Sequence, residues 1–129
     1  NYYVCKATFS NPAISKSQLL GFLHAFEEAV KNGDYAQKGF PKSAYGMRKL
    51  GINIYTMKIL SQRQDIKDKH IQVYAQCPGY VKTDMSSQKG VLTIEEGART
   101  TVFLAELPFE VNNAYQGHFF ERSALSSLW

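Results

Sequence analysis

The sequence predicts an α/β fold in which helices alternate with short strands. Three observations carry this. Capped amphipathic helices open and nearly close the chain, a β-rich alternating run lies between them, and the order helix, strand, helix, strand suits a layered sheet with crossover connections. The first helix is "SKSQLLGFLHAFEEAVKNGD". Ser15 and Gln18 form a capping box, and Leu19, Phe22, Leu23, Phe26 and Val30 recur at helical spacing. Gly33 ends it, because glycine takes the left-handed conformation without a Cβ penalty. His24 lies within this helix and reads as a partly exposed structural histidine rather than a ligand.

The turn-rich connector "DYAQKGFPKS" leads to a second helix predicted from Pro41 to Ser61. Gly46 and Gly51 inside it each cost up to about 1 kcal/mol relative to alanine, so something must approach the helix closely there. A packed neighbouring helix is the plain explanation. "HIQVYAQC" alternates and is β-rich, which predicts a buried strand from His70 to Cys77. "PGYVKTDMSSQKG" is a loop opened by Pro-Gly. In "TIEEGARTTVFLAEL", Thr93 and Glu96 form a second capping box, and Pro108 marks the stop. "QGHFFE" predicts a last short strand. The chain has no internal repeat and no low-complexity segment.

At 129 residues, with 44% hydrophobic and 20% charged side chains, the composition is that of one ordinary globular domain. No apolar run approaches the roughly 18 residues a membrane span needs, and no charged-then-apolar leader opens the chain, so no membrane is expected. The net charge of +4 is spread along the sequence. Its densest patch, "IKDKH", contains an Asp and reads as a solvated helix end, so no nucleic acid is expected either. Cys5 and Cys77 stand far apart in no metal-like spacing. They suggest reduced thiols in a cytoplasmic setting, a single disulfide between them being the alternative.

Most catalytic signatures are missing. His24, His70 and His118 have no partners at zinc-ligand spacing, and no Gly-x-Ser-x-Gly elbow occurs. "GMRKLGIN" has the gap of a phosphate loop but carries Ile and Asn where Lys and Ser/Thr should grip phosphate and magnesium. No two glycines sit two apart, as a dinucleotide fingerprint turn requires. One pair of residues points to chemistry. Tyr45 and Lys49 are four apart in a predicted helix, hence on one face. A free phenol titrates near pH 10, and an ammonium held nearby favours its ionised form. Tyr2 and Lys6 share the spacing without the context, so spacing alone decides nothing.

Context does decide. In order the chain reads "YGMRK", a β-rich strand running into "CPGYVKTDM", then "TIEEGA", then "GHFF". This series resembles the C-terminal half of a short-chain dehydrogenase/reductase, and most of all the monomeric carbonyl reductase branch. The resemblance covers about residues 14–129. The helix over 15–32 with "GFPKSAYG" is similar to that branch's insertion before its tyrosine. It assigns 14–40 to the insertion and connector, and 41–129 to the catalytic helix, the cofactor loop and the closing helix and strand. Residues 1–13 stay open between a stray strand and the start of an earlier helix.

The resemblance implies the C-terminal half of a Rossmann-type three-layer α/β/α domain with a parallel sheet. It further implies NADPH-dependent reduction of ketones, aldehydes or quinones. In such a protein Tyr45 donates a proton to the carbonyl oxygen, and Lys49 tunes the tyrosine and hydrogen-bonds the nicotinamide ribose. Pro78 and Gly79 end the strand at the cofactor, and the Val81 backbone and Thr83 hydroxyl contact the carboxamide. Tyr80 lines the substrate cleft. Gly46 and Gly51 then fit a helix packed against sheet and cofactor. The family's glycine-rich turn and catalytic serine have no counterpart here, and none of Ser10, Ser15, Ser17 and Ser43 has the required strand context. The expectation is therefore a fragment of a longer product, monomeric when full length; completion by another chain, or further residues preceding Asn1, are the alternatives. The rival function is a non-catalytic half-domain, a scaffold or interaction subunit.

Overall fold

The computed structural model describes residues 11–108 and 114–126. Helix α1, Lys16–Asn32, begins with the predicted capping box: Gln18 N donates to Ser15 Oγ at 3.2 Å, and Ser15 N donates to Gln18 Oε1 at 2.9 Å. Gly33 closes it in the left-handed region at φ 75°. Leu19 and Ala29 are buried, and Phe22 and Phe26 each meet the Phe40 ring edge-on at 5.4 Å. This locks the connector onto the helix.

Helix α2 runs Ala44–Ile54 and starts later than predicted, because the Ser43 side chain caps it. It does not stay α-helical to Ser61. At Tyr55–Leu60 it widens into a π-helical turn, ended by the buried Ser61, whose hydroxyl donates to the Met57 carbonyl. A short solvated helix α3, Gln64–Asp68, follows. It contains most of "IKDKH", which is exposed as expected.

Strand β1 covers only Ala75–Cys77 rather than His70–Cys77. His70 is left-handed at φ 55°, and the backbone at Val73 is held differently. Its N–H donates to the Gln116 side chain at 2.9 Å, while its carbonyl accepts from Gly117 N. The predicted alternation survives in the burial of Val73 and Ala75. Helix α4, Ile94–Ala105, begins at the predicted Thr93–Glu96 capping box and leads over to β2, Phe119–Glu121. β1 and β2 pair in parallel, Gln76 opposite Phe120. The sheet is not wholly parallel. Arg122 and Ser123, at φ 53° and 58°, make a tight turn of the handedness hairpins favour, so β3, Ala124–Leu125, returns antiparallel to β2. Phe120 is the sheet's core residue, contacted by the rings of Tyr74, Tyr115 and, from α4, Phe103 at 5.5–6.3 Å.

The predicted readings for residues 1–10, including Cys5 and the Tyr2–Lys6 pair, lie outside the described residues. Within those residues no helix is long and apolar enough to cross a membrane.

Candidate active site

The start of α2 is set by Ser43, whose hydroxyl accepts the Gly46 amide at 3.0 Å. That cap places Tyr45 in the first helical turn and Lys49 one turn further on. The Lys49 ammonium stands 5.7 Å from the centre of the Tyr45 ring. Tyr45 is 64% exposed. The guanidinium of Arg48 lies 5.8 Å from the same ring, a neighbour the sequence reading did not single out although its i, i+3 spacing signals it. Among the described residues the two glycines of the helix face Ser43 and α1. A Cβ on Gly46 would come within 3.1 Å of the capping hydroxyl, and one on Gly51 within 3.2 Å of Leu23 on α1. For Gly51, helix-on-helix packing is the reason.

The Pro-Gly loop leaves the carboxyl end of β1. Gly79 sits at φ 80°, and a Cβ there would meet the Leu92 side chain at 2.5 Å. The left-handed conformation is what calls for glycine, since the Leu92 methyl is the end of a flexible side chain that can turn aside. The loop closes on itself: Val91 N and Leu92 N donate to the Tyr80 carbonyl, and Lys82 N donates to that of Leu92. Val81 is held between two glycines not predicted to matter. Gly90 lies where a Cβ would strike the Val81 backbone at 2.0 Å, and Gly97 of α4 where one would strike Val81 Cγ2 at 2.4 Å. Thr83 opens a single 3-10 turn, Asp84–Ser86, its amide donating to Ser86 Oγ at 3.0 Å.

Pro78, Gly79 and Tyr80 line an open cavity of about 540 Å³ at the carboxyl ends of β1 and β2. Its far wall carries Arg99 and Thr100 of α4 and the Arg122–Ser123 turn. The turn is pinned by Ser123 N donating to the buried Thr100 hydroxyl at 3.0 Å. In open α/β sheets ligands bind at this edge. Tyr45 and Lys49 do not line this cavity. The structure thus gathers the predicted residues into two groups, one on α2 and one on the loop.

Over 104 residues, 78% of this chain, the sequence is 40% identical to carbonyl reductase (NADPH) 1 of Rattus norvegicus. Over 102 residues, also 78% of the chain, it is 41% identical to carbonyl reductase (NADPH) 3 of Homo sapiens. The chain is a homologue of the carbonyl reductases. It spans 36% of the length of these relatives. The fold agrees with salutaridine reductase from Papaver somniferum, a short-chain dehydrogenase/reductase, at a TM-score of 0.74 and 27% identity, covering 91% of this chain and 38% of that one. No protein-family model matches.

In this carbonyl reductase homologue the described serines at the starts of α1 and α2 are occupied structurally. Ser15 and Ser43 cap helices, and Ser17 Oγ lies 3.0 Å from Ser15 Oγ. His24 is on the surface beside Glu27, as a structural histidine should be. Cys77 is a half-buried free thiol whose sulfur accepts from Gly79 N at 3.4 Å.

Proposed function

We propose that the complete protein containing this sequence is an NADPH-dependent carbonyl reductase acting on ketones, aldehydes or quinones, a cytoplasmic monomer with Tyr45 as proton donor. The observation that carries this reading is the exposed Tyr45 phenol beside the Lys49 ammonium, in a chain 40% identical to a carbonyl reductase. Two features suit a nicotinamide nucleotide. Lys49 makes no ion pair among the described residues, which leaves its ammonium available for a ribose hydroxyl. The Pro78–Gly79 bend stands at the carboxyl edge of a parallel strand pair, with Val81 and Thr83 next to it. When bound, the reduced cofactor supplies a hydride.

The chain's own part is proton supply and positioning. The Tyr45 hydroxyl hydrogen-bonds the carbonyl oxygen and gives up its proton as the carbonyl carbon gains hydride, so the ketone leaves as an alcohol. Negative charge developing on the phenol oxygen is stabilised by the adjacent ammonium of Lys49. Tyr80 offers an aromatic wall to the substrate.

Tyr45→Phe removes the proton and little else. In the complete protein, turnover should fall by about 10²–10⁴-fold, the usual worth of a general acid, while NADPH affinity measured by cofactor fluorescence stays close to wild type. Equal loss of turnover and affinity would contradict the role given to Tyr45. Absence of any saturable cofactor signal in the complete wild-type protein would favour a scaffold.

A further inference from the structure

Arg48 is the cation beside Tyr45 for which proton donation and ribose binding have no use. Its surroundings are one-sided in charge. Between Asp34 and Asp65 the chain has no acidic residue, yet Lys38, Lys42, Arg48, Lys49, Lys58 and Arg63 fall within that stretch. Lys38 pairs with Asp34 at 2.9 Å and Arg63 with Asp65 at 2.6 Å, at the two ends. Among the described residues Lys42, Arg48 and Lys49 make no ion pair. The middle of the stretch thus carries three exposed cations without an ion pair among the described residues, two of them beside the Tyr45 ring.

The two cations at the ring differ in kind. An ammonium is a compact point charge, whereas a guanidinium presents a planar fork that matches a carboxylate with two parallel hydrogen bonds. A carbonyl group bonded to the Tyr45 hydroxyl holds its neighbouring substituents beside the ring that Arg48 flanks. We propose that Arg48 makes this site selective for carbonyl compounds bearing a carboxylate next to the carbonyl, 2-keto acids being the simplest. The proposal deepens the reductase reading and rests on Tyr45 as the group that meets the carbonyl.

The test compares a 2-keto acid with its neutral amide, in the complete protein with NADPH, for wild type, Arg48→Gln and Arg48→Lys. The acid-to-amide ratio of kcat/KM should fall about tenfold in Arg48→Gln, mainly through KM, and recover partly in Arg48→Lys. A ratio unchanged by Arg48→Gln overturns the proposal. That includes a parallel loss on both substrates, which would assign the cation to a cofactor phosphate instead. Calorimetric binding of the same two compounds separates this result from failure of the reductase reading. Preferential binding of the acid that disappears in Arg48→Gln sustains the anion site even where wild type turns over neither compound. Equal binding of acid and amide to wild type removes it.

Discussion

At the residue scale, Val81 carries the most tightly constrained contact next to the candidate site. Its side chain fills the space above Gly97 on α4, and its backbone passes against Gly90. Adding one methyl to Gly97 puts a Cβ at 2.4 Å from Val81 Cγ2, so Gly97→Ala should destabilise the protein by about 1–3 kcal/mol, the ordinary cost of overpacking. Val81→Ala removes the opposing methyls and should restore part of that loss, a coupling readable as a double-mutant cycle in urea. Gly90→Ala should not be rescued in this way, because its clash is with backbone atoms. Additive behaviour of Gly97→Ala and Val81→Ala would show that the two do not touch. The sequence displays Tyr45 and Lys49 because a helical turn is local, and four residues of spacing fix a shared face. It does not display why Gly97 is glycine, since the reason sits sixteen residues away at Val81.

At the scale of elements, local chemistry again separates what can be read from what cannot. Both capping boxes and the glycine stop of α1 are short-range hydrogen-bond patterns, and they stand where the sequence places them. Removing one should cost what a cap is worth. Ser15→Ala leaves Gln18 N without its acceptor and should lower stability by about 1 kcal/mol. Gly33→Ala, forced into φ 75°, should also destabilise, and both are measured as shifts in the urea midpoint. The length of β1 was not legible. Gln116, more than forty residues on, takes the Val73 amide and donates to the carbonyls of Ser61 and Ile71, so one side chain holds backbone that alternation alone assigns to a strand. The widening of α2 into a π-turn is likewise hidden. Gly117 packs against the Met57 carbonyl and Ser61 hydroxyl, a contact made only in the folded chain.

For the whole molecule, charge and apolar exposure set how it behaves in solution. Hydrogen bonding by Lys31 holds the Glu28 carboxyl below its usual range, and hydrogen bonding by Arg63 does the same for Asp65. A backbone amide at the start of α4 and then Thr93 lower Glu95. Groups depressed in the folded state stabilise it above their unfolded pKa, about 4, and that contribution is lost as pH falls through the lower folded value. All three are solvent-exposed, so the decline in urea midpoint as pH falls below about 4 should be shallow and shrink further in salt. Apolar exposure has the larger consequence. Tyr80, Met85, Val91 and Ile94 all stand out from the loop and the start of α4, Met85 at 98% and Val91 at 82% exposed. Within the described residues β1 pairs on one side only, with β2, so a strand edge accompanies this apolar loop. Exposed apolar groups and open strand edges both promote association. The 129-residue chain by itself should therefore self-associate with rising concentration in sedimentation velocity. Val91→Lys with Ile94→Lys should shift it toward monomer while leaving the helical circular dichroism intact. Association unaffected by that pair would place the contact at the strand edge, and a chain monomeric at all concentrations would mean that neither surface is sticky enough to matter.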